Sequence, residues 1–387
     1  MRCAVWPVIV LLAFLGGCDV DSGVIDTSAE RPPSRLSALL GQQSGERFPL
    51  VTEPRSFVFP RDHGPHPEYR NEWWYVTSNL EGPAGERFGV ELTLFRFALA
   101  PNELLSSSPW RQRQIYMAHF AVTDVEQDRF LVAERFSRAS LGMAGAQAAP
   151  PRVWLNDWEI AMHDATSPMT LTAASVDAAV SLRLHPKKLP VLNGDAGLSQ
   201  KSATPGNASY YYSMTRLAAD GTLTLSGREY EVQGDAWLDR EWGSSALDQD
   251  QQGWDWFALQ LDDGTELMFY QLRRTDGQID AMSAGTFVFA GGDTVHLNAQ
   301  DVEVEVLETW ESPAGGVYPH RWRLIVPQRG LTLDVSPVMA NQELTTSVRY
   351  WEGAVDVAGK QDGRDVAGYG YVELTGYATS APVPESR

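Results

Sequence analysis

The tract Asp239-Arg240-Glu241-Trp242 sets two carboxylates two residues apart, with a cation between them and Trp237 just upstream. Side chains on a strand alternate faces, so Asp239 and Glu241 would share one face while Arg240 and Trp242 share the other. Paired, desolvated carboxyls hold a proton near neutrality, because burial and a neighbouring like charge both oppose ionisation. That is the form that donates a proton to an alkene or a leaving group. Trp242, Trp254 and Trp256 would then flank a developing cation with their ring faces. The same residues also fit a structural role, in which Arg240 neutralises Asp239 and Glu241 in a salt-bridge network between domains and the tryptophans are core. Asp239, Glu241 and Arg240 are the candidate catalytic residues.

A second string, Asn71-Glu72-Trp73-Trp74-Tyr75, alternates in the same way, and whichever face holds Glu72 also holds Trp74. An opening walled by Glu72, His119 and tryptophans would suit an elongated apolar molecule bearing one polar group. Equally, Glu72 would be buried against an arginine such as Arg96, and His119 would be a satisfied interior histidine. The candidate ligand-binding residues are Glu72, Trp73, Trp74, Tyr75 and His119, with Trp242, Trp254, Asp255 and Trp256 from the second half. In His63-Gly64-Pro65-His66 the spacing suggests a metal, but Pro65 blocks helical geometry and no third ligand clusters nearby, so no metal is expected. Gly243-Ser244-Ser245 lacks the second glycine of a nucleophile elbow, and no glycine-rich phosphate loop occurs. No cofactor is expected.

Strands must position these groups. Thirteen Trp, thirteen Tyr and fourteen Phe accompany thirty-three Gly, a mixture suited to twisted strands joined by tight turns. Phe88 to Phe97 and Ile115 to Val122 read as strands, and no apolar-periodic stretch of helical length follows residue 50. Turns are expected at Asp220-Gly221, Asp263-Gly264, Asp276-Gly277, Gly291-Gly292-Asp293 and Asp362-Gly363. The run from Trp74-Tyr75-Val76 through a glycine turn to Phe95-Arg96 is echoed by Trp256-Phe257-Ala258 through Asp263-Gly264 to Leu272-Arg273. Either the chain repeats itself, with a boundary near residues 225 to 235, or two hairpins merely look alike.

The amino terminus carries an address. Arg2 precedes a short apolar run, Ala4 to Leu15, too short to span a bilayer as a helix. It ends in Leu15-Gly16-Gly17-Cys18, which resembles the lipobox cut by the bacterial lipoprotein signal peptidase; a plain secretory signal is the alternative. Cys3 and Cys18 are the only cysteines, so the body after the cut has no disulfide and no thiolate metal site. Two or three acyl chains on Cys18 would make a lasting anchor. Asp19 resembles the signal that retains enterobacterial lipoproteins in the inner membrane, so the expected location is the periplasmic side of the cell envelope. From Asp19 to about Phe48 the chain is polar and reads as a tether, with a short helix around Leu36 to Leu40. The net charge of −19 repels phosphate backbones, so nucleic acid is not an expected partner.

Several ordered strings together resemble the AttH/CrtC lipocalin-like family over about residues 55 to 380. They are His66 to Val76, Ala118-His119-Phe120-Ala121-Val122-Thr123-Asp124, Trp237 to Gly243, Gly253-Trp254-Asp255-Trp256, Tyr350-Trp351-Glu352-Gly353 and Gly368 to Tyr377. The resemblance implies an all-β chain of two lipocalin-like (calycin) β-barrel or β-sandwich domains packed side by side, with a ligand cleft lined by both. The expected divisions are a signal at 1–17, a lipidated tether at 18–48, domains at 49–228 and 229–380, and a tail at 381–387. The family includes carotenoid 1,2-hydratases, fungal pericyclases acting on polyenes, and bacterial proteins catalogued as secreted hydrolases. Its secreted branch is commonly encoded beside an ABC transporter with a large periplasmic permease. Two departures count against hydratase activity. Where the hydratases place a Tyr and a catalytic Asp, this chain reads Met268-Phe269-Tyr270-Gln271-Leu272, and a glutamine amide cannot serve as the acid. Arg240 also stands where they have a histidine. Gln271 joins the candidate ligand-binding residues on this alignment. The expectation is a membrane-anchored protein that binds an elongated apolar, lipid or isoprenoid-like ligand and works with an ABC transporter permease. The alternative is an enzyme, a hydratase-like or hydrolytic one, using a carboxylic acid in a Trp-lined cleft.

Overall fold

The computed structural model describes residues 48–101, 113–162, 168–244 and 247–378. The expected signal, Cys18, the helix around Leu36 to Leu40 and the tail at 381–387 lie outside these residues. Four strands open the first sheet: β1 (Asn71–Glu81), β2 (Arg87–Ala98), β3 (Gln114–Asp124) and β4 (Arg129–Arg138). Short strands follow: β5 (Ala144–Ala148), β6 (Pro151–Leu155), β7 (Trp158–Met162), β8 (Met169–Ala174), β9 (Ala178–Pro186), β10 (Val191–Leu192) and β11 (Leu198–Gln200). Two long strands, β12 (Ala208–Leu225) and β13 (Arg228–Gly243), complete it. The second sheet begins with β14 (Gln251–Leu261), β15 (Glu266–Arg274), β16 (Ala284–Val288) and β17 (Thr294–Asn298). It continues with β18 (Glu303–Glu311), β19 (Val317–Val326), β20 (Leu331–Pro337), β21 (Glu343–Thr345), β22 (Arg349–Gln361) and β23 (Arg364–Thr375). Among the described residues the helical elements are four 3-10 turns.

Both sheets are antiparallel and follow one plan. In the first, the order is β4-β3-β2-β1-β13-β12-β9-β8-β7-β6-β5, and in the second it is β17-β16-β15-β14-β23-β22-β20-β19-β18. Each opens with a four-stranded meander and closes by laying its final strand against its first. The hairpin echo in the sequence is therefore an echo of topology. The expected change of domain at 228/229 falls at the start of β13, which pairs with β12 in the same sheet, so that sheet runs on to Gly243. The reason is pairing: β13 hydrogen-bonds the whole length of β1, from Asn71 opposite Gly243 to Glu81 opposite Gln233.

Asp220-Gly221 is not a turn. It lies inside β12, opposite Gln233 and Val232, and the chain reverses at Ser226-Gly227, both with positive φ. A Cβ on Gly221 would lie 2.0 Å from the Ser181 carbonyl oxygen, so the glycine serves close strand approach and not reversal. The other four turn signals fall between strands as expected.

Strand alternation divides the apolar residues into three main cores and a small cluster of Leu344, Val348 and Tyr350. Trp74, Val76 and Leu80 of β1 point into the first sheet's own curl with Leu92, Leu94, Phe120, Leu238 and Trp242. Phe257, Leu259, Trp322, Trp351 and Val355 fill the second sheet. The opposite faces of β1, β12 and β13 meet those of β14, β15, β22 and β23 through Tyr75, Tyr211, Trp237, Trp256, Tyr270 and Tyr371. The approach is close: a Cβ on Gly89 of β2 would lie 2.5 Å from the Tyr371 hydroxyl and 2.9 Å from the Ala354 Cβ.

Candidate functional site

A cleft with an empty volume of about 1030 Å³, counting the solvent at its mouth, opens between the two sheets. Period-2 alternation decides what lines it. On β1, Trp73 and Tyr75 face the cleft, and on β13 their register partners Glu241 and Asp239 do so beside them. From the second sheet come Trp254 and Trp256 of β14, Tyr270 of β15, Tyr350 and Glu352 of β22, and Glu373 of β23, which is paired with Trp256 on one side and Glu352 on the other. Each sheet thus contributes carboxyls set against tryptophans.

The carboxyls lie in apolar surroundings and are held in distinct ways. Asp239 accepts hydrogen bonds from the Ser213 hydroxyl at 2.6 Å, the Trp237 indole at 2.7 Å and the Tyr211 hydroxyl. Burial nevertheless pushes its pKa up to about 7: desolvation outweighs those hydrogen bonds, and Glu241 adds like-charge repulsion. Glu241 is paired with Lys201 at 2.9 Å and accepts a hydrogen bond from Ser209. Lys201 is buried, and although burial favours its neutral form, Glu241 and Asp239 raise its pKa, so it stays charged. Glu352 is 1% exposed and accepts the Tyr75 hydroxyl at 2.6 Å; burial, Glu373 and Glu91 drive its pKa well above the carboxylate range. Burial likewise raises Glu373 to about 7 and Glu91, which lies behind the wall on β2, to about 8. At neutral pH the site therefore offers protonated carboxyls in an aromatic wall, the arrangement required of a general acid.

His119 sits at the junction of the halves. Its Nδ1 lies 2.6 Å from the Tyr350 hydroxyl and its Nε2 2.9 Å from Glu134 Oε1. Glu134 also accepts the Ser347 hydroxyl at 2.6 Å. A hydrogen-bonded line from Tyr350 through His119 to Glu134 thus connects the cleft to the partly exposed rim.

The structure brings Trp73, Tyr75, His119, Asp239, Glu241, Trp254 and Trp256 together in the cleft. It does not bring Arg240, Glu72, Trp74 or Trp242 there. These occupy the opposite face of β1 and β13, inside the first sheet, because each differs by one residue from a cleft-facing neighbour. Arg240 is fully buried, pairs with Glu72 at 2.8 Å and lies 3.9 Å over the Trp74 ring. It therefore cannot neutralise Asp239 and Glu241, which Lys201 and neutral protonation accommodate instead. Glu72 also pairs with Arg96 at 2.9 Å, as the bland alternative for that residue requires, and accepts His66 Nδ1 at 2.8 Å. His66 stacks on Trp242 with centroids 3.7 Å apart. His63 bonds the Tyr212 hydroxyl at 2.6 Å. Asp255 and Gln271 alternate with Trp254 and Tyr270 and so face away from the cleft, Asp255 pairing with Arg273 at 2.9 Å. Among the described residues no group of three or more His, Cys, Asp or Glu is placed to hold a metal.

Sequence reasoning passed over Lys201, Tyr211, Tyr270, Tyr350, Glu352 and Glu373 as site residues. The signal for three of them, Tyr350, Glu352 and Glu373, was present. In Tyr350-Trp351-Glu352 and Tyr371-Val372-Glu373 the polar residues alternate with core residues, as they do around Asp239 and Glu241.

Two curled antiparallel sheets of the lipocalin-like kind, joined across an acidic, aromatic cleft, define the class. The AttH-like family model matches residues 50–377, and the chain belongs to that family. An AttH protein of Nitrosomonas europaea of known structure is 33% identical, with 85% of this chain and 99% of that one covered and a TM-score of 0.76. Kievitone hydratase from Nectria haematococca is 18% identical over 86% of this chain and 94% of that one, with a TM-score of 0.64, a likeness of fold. Among curated protein sequences none matches.

Proposed function

We propose that the cleft binds an elongated, largely apolar molecule, lipid or isoprenoid-like, and acts on it by general acid chemistry. The observation that carries this is Glu352, a buried carboxyl facing an aromatic cleft with its pKa well above the usual range, beside Glu373 and Asp239 at about 7. A neutral carboxyl gives its proton to one alkene carbon, the adjacent carbon becomes cationic, and water adds there and returns a proton to the carboxylate. The rings of Trp73, Trp254 and Trp256 face the charge as it develops. The hydratase named among the fold neighbours makes hydration the first reaction to assay. Gln271 does not weigh against this, since it faces away from the cleft and the acid would come from β13, β22 or β23.

The test is incubation of the full chain in D2O with an isoprenoid extract, followed by mass spectrometry for deuterium uptake or gain of water. Wild type should show one or both; Glu352→Gln and Asp239→Asn should lose them by about a hundredfold or more with melting temperatures near wild type. Retention of turnover by both variants would remove the acid role and leave a carrier, which the apolar lining also suits.

In the same proposal the protein is anchored through lipid on Cys18 on the periplasmic side of the inner membrane, within reach of an ABC transporter permease. The lipobox and Asp19 support this. Cys18→Ala should shift the protein from the membrane to the soluble fraction on cell fractionation; an unchanged distribution would sink it.

A further inference from the structure

We infer that the polar group recognised in the cleft is an organic cation, so that the ligand is an apolar molecule carrying a positively charged nitrogen, and that anionic amphiphiles such as fatty acids are excluded. This rests on the cleft being a binding site for an elongated apolar molecule.

Charge balance is the first ground. Asp239, Glu241, Glu352 and Glu373 line the cleft and Glu91 lies behind it, whereas the lining includes a single lysine, Lys201. Lys201 is already engaged by Glu241 at 2.9 Å and rests 4.3 Å over the Tyr270 ring. An incoming carboxylate would meet no free cation among these residues, whereas an incoming cation can draw negative charge from carboxyls that hold their protons while the cleft is empty.

The second ground is independent of the acidic cluster. Glu352 is 1% exposed, and while its Oε1 is satisfied by Tyr75, its Oε2 has no hydrogen-bond partner among the described residues. Glu91 Oε2, equally buried, has none either. Buried carboxyl oxygens are ordinarily satisfied, and one left unpaired on a residue that lines the cleft points to a group that arrives with the ligand.

The third ground is the wall. Trp73, Trp254 and Trp256 line one space with Tyr75, Tyr211 and Tyr270, an aromatic enclosure of the type that holds quaternary ammonium groups. Lys201 over Tyr270 shows the protein's own cation using such a face. A metal ion is a poor fit, since no group of three or more metal-binding side chains converges among the described residues. Binding a cation takes one carboxyl to its ionised form and leaves a neighbour protonated, because like charges in one apolar site resist a second ionisation. An acid thus remains beside the bound charge.

The experiment compares octyltrimethylammonium, 1-octanol and octanoate, read by tryptophan fluorescence and calorimetry on the full chain in non-ionic detergent. The ammonium should bind about tenfold or more tighter than octanol, with octanoate weakest. Glu352→Gln and Glu373→Gln, each checked for a cooperative circular dichroism melt, should lose most of that preference. Equal affinities for the three probes, tighter binding of octanoate, or a preference untouched in both variants would overturn the cation while leaving an apolar site. Failure of all three probes to bind would instead remove the cleft as a binding site, and this inference with it.

Discussion

Arg240 illustrates how much one residue's facing decides. Its sequence neighbours Asp239 and Glu241 look into the cleft, yet its guanidinium lies in the first core against Glu72 and beneath no solvent. Glu72 remains ionised there: burial opposes the charge, but Arg240 and Arg96 overcome it and hold the pKa far below the usual range. Replacing Arg240 by Met should therefore leave the buried Glu72 charge with Arg96 as its remaining arginine and cost about 3 kcal/mol in urea unfolding. Glu72→Gln with Arg240→Met should lose less than the two single changes added together, because the double variant removes both charges. Additive losses would mean that the pair is not coupled. The sequence placed Asp239 and Glu241 on one face and Arg240 on the other by alternation alone. What it could not show was which face met the second sheet, because that depends on how two whole sheets pack against each other, which no run of consecutive residues records.

At the scale of elements, legibility followed local chemistry. The strands around Phe88 to Phe97 and Ile115 to Val122 were visible because alternation is written in consecutive residues, and they extend only a residue or two further at each end as β2 and β3. Asp362-Gly363 was visible as a turn because both residues take positive φ at no great cost. Asp220-Gly221 misled because a glycine needed for close approach to Ser181 has the same spelling as one needed for reversal. The domain change misled for a related reason. The point where aromatic strings resume is β13, and β13 belongs with β1 by hydrogen bonding across the whole first half. Glu352 and Glu373 lie in strands whose strings were recognised, but their opposition across β22 and β23 is a matter of register, which no local pattern specifies.

For the whole molecule, the buried ionisable groups fall into two sets that shift in opposite directions, and their sum fixes how stability varies with pH. In the cleft, Asp239 rises from 3.8 to about 7, Glu373 from 4.5 to about 7 and Glu91 from 4.5 to about 8, each mainly through burial. A group with a raised folded pKa binds its proton more tightly when folded, so its contribution is complete below the unfolded value of 3.8 to 4.5 and is lost progressively from there up to the folded value, about 7 to 8. In the first core, Glu72 is held down by Arg240 and Arg96, and Asp62 is lowered from 3.8 to about 2, since hydrogen bonds from His66 and Val58 with Arg55 outweigh its burial. Burial also lowers His63 from 6.5 to about 4. The contributions of Glu72 and Asp62 are present above pH 4 to 4.5 and vanish as pH falls through the folded values, and that of His63 fades between 6.5 and 4. The melting temperature measured by calorimetry should consequently peak near about pH 5 and decline by several degrees towards pH 8.5, where the acidic surface also repels itself. Glu91→Gln combined with Glu373→Gln should flatten the alkaline decline and leave the acid limb unchanged, because the groups of the acid limb lie on the other face of the first sheet. A melting temperature that rises steadily from pH 5 to 8.5 would mean that the cleft carboxyls ionise freely, and would remove the ground on which they serve as acids.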